Sequence, residues 1–330
     1  MPEVDIVNLA ACALHNSASQ LGEDLVLLPT LIHIARGRPG TFVEIGAYTG
    51  NSLSNTLTLE RCFNWTGLLI EGNPDNFQQL LQSGRRGRKV HTAICDAGGN
   101  GVRMTRGGGP TAGDMAAMST AYVKTWGRAN GASYNRTVDV PCNPMHSVMA
   151  GAGVRQADFL SLDVEGAEDV VIRTVRANRF KLVMAEADNY DPPKDERVAQ
   201  KVHHAGRTAL PSPLASIERT CARAQILSDG LRHAEQLKVR ASNIFISPDE
   251  DEVLLHPVPP AYLPLQSFKI FKFRPSLAQL EQELKNVYRK LGCTPMPSLA
   301  RRGSLMRCPG VDDMHSPAHT TRPTVGPSSG

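Results

Sequence analysis

The chain has 330 residues, of which 41% are hydrophobic and 21% are charged, and its formal net charge is +4. This composition is typical of a soluble protein with a substantial core. The small net charge and the 5% aromatic content argue against a nucleic-acid-binding protein, and no stretch approaches the roughly 18 consecutive apolar residues of a membrane-spanning helix.

Seven cysteines are scattered along the chain, without a CxxC pair or a His/Cys cluster at zinc-site spacing. The N-terminus lacks the basic and apolar regions of a secretory leader. The sequence therefore predicts reduced thiols and a soluble, cytoplasmic protein.

The predicted elements begin with a helical segment over residues 1–40. Strands and helices then alternate: the strands are predicted at 41–46, 67–71, 89–95, 159–164, 180–187 and 242–247, and the helices at 51–62, 74–82 and 167–177. Such alternation predicts an α/β fold with a mainly parallel, doubly wound sheet and helices on both faces.

Four stretches depart from this alternation. We expect one domain over 41–250 with two insertions, the first at about 98–135, which is either a functional lid or disordered, and the second at 206–238. A C-terminal extension over 251–291 contains a helix predicted at 277–291. Residues 292–330 are rich in Pro, Ser, Thr and Gly, which predicts a disordered tail.

Residues 41–50, TFVEIGAYTG, link the first strand to the next helix through two glycines. Gly46, Ala47 and Gly50 would let the backbone approach a nucleotide-like ligand closely. The spacing is not the G-x-G-x-x-G that binds a dinucleotide pyrophosphate, and Glu44 would repel phosphate but attract a cationic ligand. The motif therefore favours S-adenosylmethionine (SAM) over NAD.

Acidic residues end successive strands, where the loops of a parallel sheet converge on a ligand. Glu44 is expected to orient the methionyl amino group, or alternatively to be the buried partner of an arginine. Glu71 is expected to accept hydrogen bonds from the ribose hydroxyls, or to cap the next helix. Asp96 is expected to accept a hydrogen bond from the adenine amine, or to be an Asx-turn residue. Asp163 is expected to face the sulfonium or the acceptor.

Three carboxylates lie within residues 163–168, DVEGAE, at the fourth strand end. Such a cluster is costly unless it binds a cation, shares protons or meets solvent. Asp163 and Glu165 are the candidate catalytic bases. Glu168 is either a third candidate base or an acidic residue that stabilises the N-terminus of the next helix. Weaker base candidates are His91, His146 and Glu186. The cluster leaves a divalent metal as an open alternative, but the sequence indicates it only weakly because no histidine lies nearby, and no metal ligands are predicted.

Taken together, residues 19–24, 42–47, 54–56, 65–71, 140–142 and 158–168 resemble the FkbM family of methyltransferases. The resemblance covers about 19–190 and again 242–247. It implies a class I, Rossmann-like methyltransferase fold, SAM as methyl donor, and O-methylation of a sugar, a small molecule or a glycan. The departures at 206–238 and in the tail leave the acceptor pocket, O- versus N-transfer and the oligomeric state open.

Two other functions remain possible at this point. A non-catalytic SAM-fold scaffold would bind SAM without turnover and would use the tail and insertion for partners. A nicotinamide-dependent oxidoreductase would share the sheet, but it would require G-x-G-x-x-G at the first turn.

Overall fold

The computed structural model describes residues 3–20, 22–97, 99–107, 109–126, 133–175, 179–186, 190–207, 243–246, 275–296 and 305–309. The strands are β1 Glu3–Asp5, β2 Thr41–Ile45, β3 Thr66–Glu71, β4 Arg88–His91, β5 Ala93–Ile94, β6 Gly99–Arg106, β7 Ser133–Asn143, β8 Ala157–Leu162, β9 Phe180–Ala185, β10 Asn243–Ile246, β11 Thr294–Pro295 and β12 Leu305–Arg307. The helices are α1 Ile6–Asn16, α2 Glu23–Ile34, α3 Leu57–Phe63, α4 Pro74–Gln82, α5 Thr120–Trp126, α6 Met145–Gly151, α7 Glu168–Thr174, α8 Pro192–Arg207 and α9 Leu277–Lys290.

The central sheet has the strand order β10-β9-β8-β2-β3-β4. Strands β9, β8, β2, β3 and β4 are parallel, and β10 pairs antiparallel with β9 at the edge. This arrangement confirms the predicted α/β fold with a mainly parallel sheet.

Alternate residues of the central strands pack into two different cores, because side chains along a strand point to opposite faces. Phe42 and Phe159 pack against α1, α2 and α9 on one face. Val43 and Leu160 pack against α6, α7 and α8 on the other. The sheet is therefore covered by helices on both faces.

Two predicted elements differ in extent from the observed ones. The helix predicted at 51–62 begins only at Leu57, because the Glu44 side chain accepts the Asn55 N–H and the Ser54 hydroxyl and holds the preceding residues in turns. The strand predicted at 89–95 is divided. Strand β4 belongs to the central sheet, whereas β5 pairs with β7 in a second sheet, of order β5-β7-β6.

The segment predicted as a lid or a disordered insertion contains regular structure where it is described. Strands β6 and β7 pair antiparallel, and α5 lies between them in the chain. Most of the second predicted insertion, at 206–238, lies outside the described residues.

The C-terminal region contains a third, small sheet of order β1-β12-β11. Helix α9 begins with a capping box at Ser276 and buries Leu280, Leu284 and Val287 in the core shared with α1 and α2. Strands β11 and β12 thus lie in a stretch for which the sequence predicts disorder, and the tail beyond 292–296 and 305–309 lies outside the described residues.

Three disulfide bonds join six of the seven cysteines: Cys12–Cys62, Cys95–Cys142 and Cys293–Cys308. The prediction of reduced thiols is therefore wrong for these six, while Cys221 lies outside the described residues. The paired cysteines are 50, 47 and 15 residues apart, so the fold brings them together and no local motif marks them.

None of the helices in the described ranges combines the length and the apolar character that crossing a bilayer requires.

Candidate active site

A cavity of about 310 Å³ lies at the carboxyl ends of β2, β3, β8 and β9. Gly46, Glu71, Asp163 and Glu186 end or follow these four strands, and all four residues line the cavity. The carboxyl edge of a parallel sheet is the usual ligand site in open α/β folds, because the loops after successive strands meet there.

Gly46 forms the turn after β2 and has a left-handed backbone, with φ of +81°. Its N–H and that of Ala47 each donate to the Ile70 carbonyl at 3.0 Å. A Cβ added at Gly46 would lie 1.7 Å from the Asp163 carbonyl oxygen. Glycine is therefore required here by both the backbone conformation and the close approach of the loop after β8.

Gly50 and Ala47, the other two predicted backbone contacts, do not line the cavity. A Cβ at Gly50 would lie 2.6 Å from Leu80 Cδ1, and the Gly50 carbonyl accepts from the Arg85 guanidinium at 2.6 Å. The second glycine of the motif thus permits packing against α4.

Glu71 is buried at the end of β3 and lines the cavity. The Tyr48 N–H donates to its Oε2 at 2.8 Å, and the Asn73 N–H donates to its Oε1 at 2.7 Å. Burial raises the pKa of Glu71 to about 7, although these N–H donors act in the opposite direction. Asn73, not Glu71, caps α4, so the helix-cap alternative does not describe Glu71.

Glu44 is buried but does not line the cavity. Its oxygens accept from the Ser54 and Thr56 hydroxyls and from the Asn55 N–H, at 2.7–3.0 Å. The guanidinium of Arg85 lies 3.7 Å from it and is itself buried. Glu44 is thus the buried partner of an arginine, the alternative left open by the sequence.

Asp96 is exposed and does not line the cavity. Its carboxylate pairs with Arg173 of α7 at 2.9 Å. The cavity wall near this strand end is apolar instead and includes Ala93, Ile94, Val102 and Met104. Val102 and Met104 belong to β6, which the sequence pattern did not predict.

Asp163, Glu165 and Glu186 form a carboxylate cluster, each with an oxygen within 4.8 Å of the others. Burial, together with the neighbouring Glu168, Glu23 and Glu44, raises the pKa of Asp163 to about 6, against the effect of its hydrogen bond with Glu186. Burial and the charge of Asp163 raise the pKa of Glu186 well above its usual value. The hydrogen bond between these two carboxyls lowers the pKa of Asp163 and raises that of Glu186.

The loop that presents Glu165 is held in an unusual conformation. Glu165 has a positive φ of 58°, which is uncommon for a residue with a side chain. The N–H groups on either side of it, from Val164 and Gly166, donate to Glu168 Oε1 at 3.1 and 3.2 Å. Glu168 Oε2 accepts from Lys194 of α8 at 2.7 Å, so this buried ion pair connects the loop to α8.

Aromatic side chains form another wall of the cavity. Tyr122 and Trp126 of α5 line it together with Tyr190, and the rings of Tyr122 and Tyr190 meet edge to face at 5.5 Å. The Tyr122 hydroxyl donates to Glu165 Oε2. No sequence motif marks these three residues, so the sequence alone does not indicate them.

The two histidines considered as weaker bases lie elsewhere. His91 stacks on Phe77 at 4.8 Å, and a ring nitrogen of His146 lies 3.3 Å from the Thr174 carbonyl oxygen. Neither histidine lines the cavity.

The described lining of the cavity is strongly acidic. It contains six carboxylates and, among the described residues, no Lys, Arg or His; the six are Glu23, Glu71, Asp114, Asp163, Glu165 and Glu186. Such a lining attracts a cation and repels a phosphate-bearing ligand.

Comparisons with known proteins agree with this arrangement at the level of the family. Residues 44–207 match the model of the methyltransferase FkbM domain. No curated protein and no solved structure matches the chain. The matched range begins at the end of β2 and ends with α8, so it includes nearly all the strand ends and loops that line the cavity. The chain therefore contains a methyltransferase FkbM domain over residues 44–207.

Proposed function

We propose that the chain is a SAM-dependent methyltransferase with a class I fold that methylates a hydroxyl of a sugar, a small molecule or a glycan. The observation that supports this most is the acidic cavity at the strand ends, beside the glycine turn at Gly46. SAM has a positively charged sulfonium and ammonium, which this lining would stabilise.

The cavity suggests a position for each part of SAM. Glu71 has two carboxylate oxygens at the end of the second parallel strand, where they would accept the ribose hydroxyls. Ile94 and Met104 offer an apolar surface for adenine. Gly46 and Asp163 lie at the ends of the adjacent strands β2 and β8, where the methionyl group and the sulfonium would lie.

Methyl transfer would be an in-line displacement in which the acceptor oxygen bonds to the methyl carbon and the S–CH₃ bond breaks. S-adenosylhomocysteine (SAH) leaves, and the hydroxyl proton passes to a carboxylate. Asp163 or Glu165 is the proposed base, and general-base catalysis of this kind contributes about 10²–10⁴-fold. Aligning the acceptor with the S–CH₃ bond contributes more, up to about 7–11 kcal/mol.

The aromatic wall supports a ring-shaped acceptor. Tyr122, Trp126 and Tyr190 give the cavity flat apolar surfaces beside the carboxylates of Glu165 and Asp163. A sugar ring has apolar C–H faces and hydroxyl edges, so it would contact both kinds of surface.

The disulfide bonds indicate the kind of cellular compartment in which the protein acts. Three disulfide bonds persist in an oxidising environment, and such bonds are rare in the reducing cytosol. We therefore propose that the enzyme acts in an oxidising compartment, in place of the cytoplasm that the cysteine spacing favoured.

A ligand-binding and turnover experiment tests the function. SAH should raise the melting temperature of the purified chain and NADH should not, and methyl-labelled SAM should transfer label to oxygen of an acceptor from a sugar and glycan panel. Stabilisation by NADH alone would indicate an oxidoreductase. SAH binding without transfer to any acceptor would indicate a non-catalytic scaffold.

A further inference from the structure

We propose that Asp163, Glu165 and Glu186 form a binding site for one divalent cation that prefers oxygen ligands, such as Mg²⁺, Mn²⁺ or Ca²⁺. The arrangement of these side chains supports the binding site, and its role in the reaction rests on the proposed function.

The geometry of the three carboxylates suits one ion. Each offers an oxygen, and these oxygens all lie within 4.8 Å of one another. Two oxygens bound to the same ion at about 2.1–2.5 Å are separated by at most about 4–5 Å, so one ion would contact all three with small side-chain movements. The ligands come from the ends of adjacent strands, β8 and β9, and from the loop after β8.

A second observation concerns Glu186 alone. Its Oε2 is buried and has no hydrogen-bond partner among the described residues. A buried polar atom left without a partner is costly, and most such atoms in folded proteins have one. A cation bound between the three carboxylates would supply that partner, which distinguishes this cluster from a group of exposed acids.

The charged side chains in the described part of the cavity lining are all acidic. The described cavity wall contains no Lys, Arg or His. Lys194, on the neighbouring helix α8, pairs with Glu168 at 2.7 Å and with Asp195 at 3.4 Å. Three carboxylates thus face one another across a few ångströms, an arrangement that a divalent ion stabilises.

The donor set indicates the kind of ion. All three ligands are carboxylates, which Mg²⁺, Mn²⁺ and Ca²⁺ prefer, whereas structural zinc sites use His and Cys. Glu165 is held in place by the Tyr122 hydroxyl and by its constrained loop. The site is therefore partly ordered before an ion arrives.

The role of the ion would be to hold the acceptor. Three protein oxygens leave about three or more positions of a six- to eight-coordinate ion open to water or substrate. An acceptor with two neighbouring oxygens, such as a vicinal diol of a sugar, would fill two of them, which narrows the acceptor class of the proposed function.

Titration of the full chain with Mn²⁺, followed by electron paramagnetic resonance, tests the site. We expect one bound Mn²⁺ per chain, displaced by Mg²⁺ or Ca²⁺, and at least tenfold weaker binding in Glu186→Gln. Asp114→Asn is the matched control, because it removes a carboxylate from the same cavity outside the cluster. It should weaken Mn²⁺ binding by less than threefold.

Two results would overturn the site: no stoichiometric Mn²⁺ binding by the wild-type chain, or equal weakening by the two variants, which would indicate only a general attraction to the acidic cavity. Calorimetry with SAH in the presence of EDTA separates this outcome from the proposed function. Retained SAH binding by a chain that binds no Mn²⁺ would reject the metal site alone, whereas absence of SAH binding both with EDTA and with Mn²⁺ would count against SAM as the donor.

Discussion

At the scale of single residues, Glu71 links burial to ligand binding. Burial raises the pKa of Glu71 from 4.5 to about 7, so in the free protein most Glu71 side chains are protonated below neutral pH. Ribose hydroxyls would donate to the ionised form, so SAH affinity should rise as the pH increases from 6 to 8, by about tenfold. The same shift makes the unliganded fold less stable as the pH rises from 4.5 to about 7, because the unfolded chain ionises first.

The variant Glu71→Gln should bind SAH about 10–100-fold more weakly at pH 8, since a charged hydrogen-bond acceptor is lost. Its affinity, measured by calorimetry, should change less between pH 6 and 8 than that of the wild type, because only Asp163, with a pKa of about 6, then contributes to the dependence. Asp96→Asn is the control, because it removes an exposed carboxylate from a neighbouring strand end outside the cavity. Equal affinity of wild type and Glu71→Gln at pH 8 would refute the ribose assignment.

Gly46 is the residue at which the backbone itself shapes the cavity. Gly46→Ala should lower the melting temperature and remove SAH binding, because the added Cβ would clash with the Asp163 carbonyl. Gly84 also has a positive φ, of +71°, but a Cβ there would meet nothing within 4 Å. Gly84→Ala should therefore cost only about 1–2 kcal/mol of stability and leave binding intact. Similar losses in both variants would mean that the close approach at Gly46 is unimportant.

At the scale of elements, the ion pair between Glu168 and Lys194 positions the loop of the carboxylate cluster. Both side chains are buried, at 0% and 4% exposure. Lys194→Met should destabilise the fold by about 3–5 kcal/mol, because it leaves Glu168 buried without its ion-pair partner.

The control variant is Lys201→Met, on the same helix. It removes a more exposed partner of Asp169, and Asp169 keeps Arg173 and Arg197 nearby. This control should cost less than about 1 kcal/mol in chemical denaturation. A smaller loss in Lys194→Met than in Lys201→Met would contradict this role.

The elements also show which parts of the site the sequence could predict. Local sequence patterns predict the strand ends and the glycine turn. The residues predicted there, Gly46, Glu71 and Asp163, all line the cavity. Glu44 belongs to the same pattern but is turned inward, because Arg85, from a distant loop, is buried beside it. That pairing depends on tertiary packing, which strand and helix periodicity does not encode.

The cavity walls were not predictable for a similar reason. Val102 and Met104 of β6 and Tyr122 of α5 come from a segment rich in Gly and Ala, without helical or strand periodicity. Val102 and Met104 are placed by the pairing of β6 with β7, outside the central sheet. The pairing of the cysteines was not predictable either, because the fold brings together partners that are 50 and 47 residues apart in the chain.

At the scale of the whole molecule, the disulfides connect the elements around the cavity to the rest of the chain. Cys95–Cys142 joins the segment after β5 to β7, beside the cavity residues Ala93 and Ile94, whereas Cys12–Cys62 joins α1 to α3 and does not line the cavity. Replacing either pair by serine should cost about 2–5 kcal/mol of stability. Only the Cys95→Ser/Cys142→Ser variant should also weaken SAH binding.

Mass spectrometry after alkylation without reduction provides the check on these bonds. Six of the seven cysteines should resist alkylation in the denatured, unreduced chain. Modification of all seven would show that the thiols are reduced, as the cysteine spacing suggested, and would remove the reason for an oxidising compartment.

The central claim is that the acidic cavity at the strand ends binds SAM. The most direct measurement is a crystal structure of the full chain with SAH. We expect the ribose hydroxyls at about 2.6–3.2 Å from the Glu71 carboxylate and the sulfur facing Asp163. SAH bound outside this cavity, or bound within it with the ribose away from Glu71, would contradict the claim.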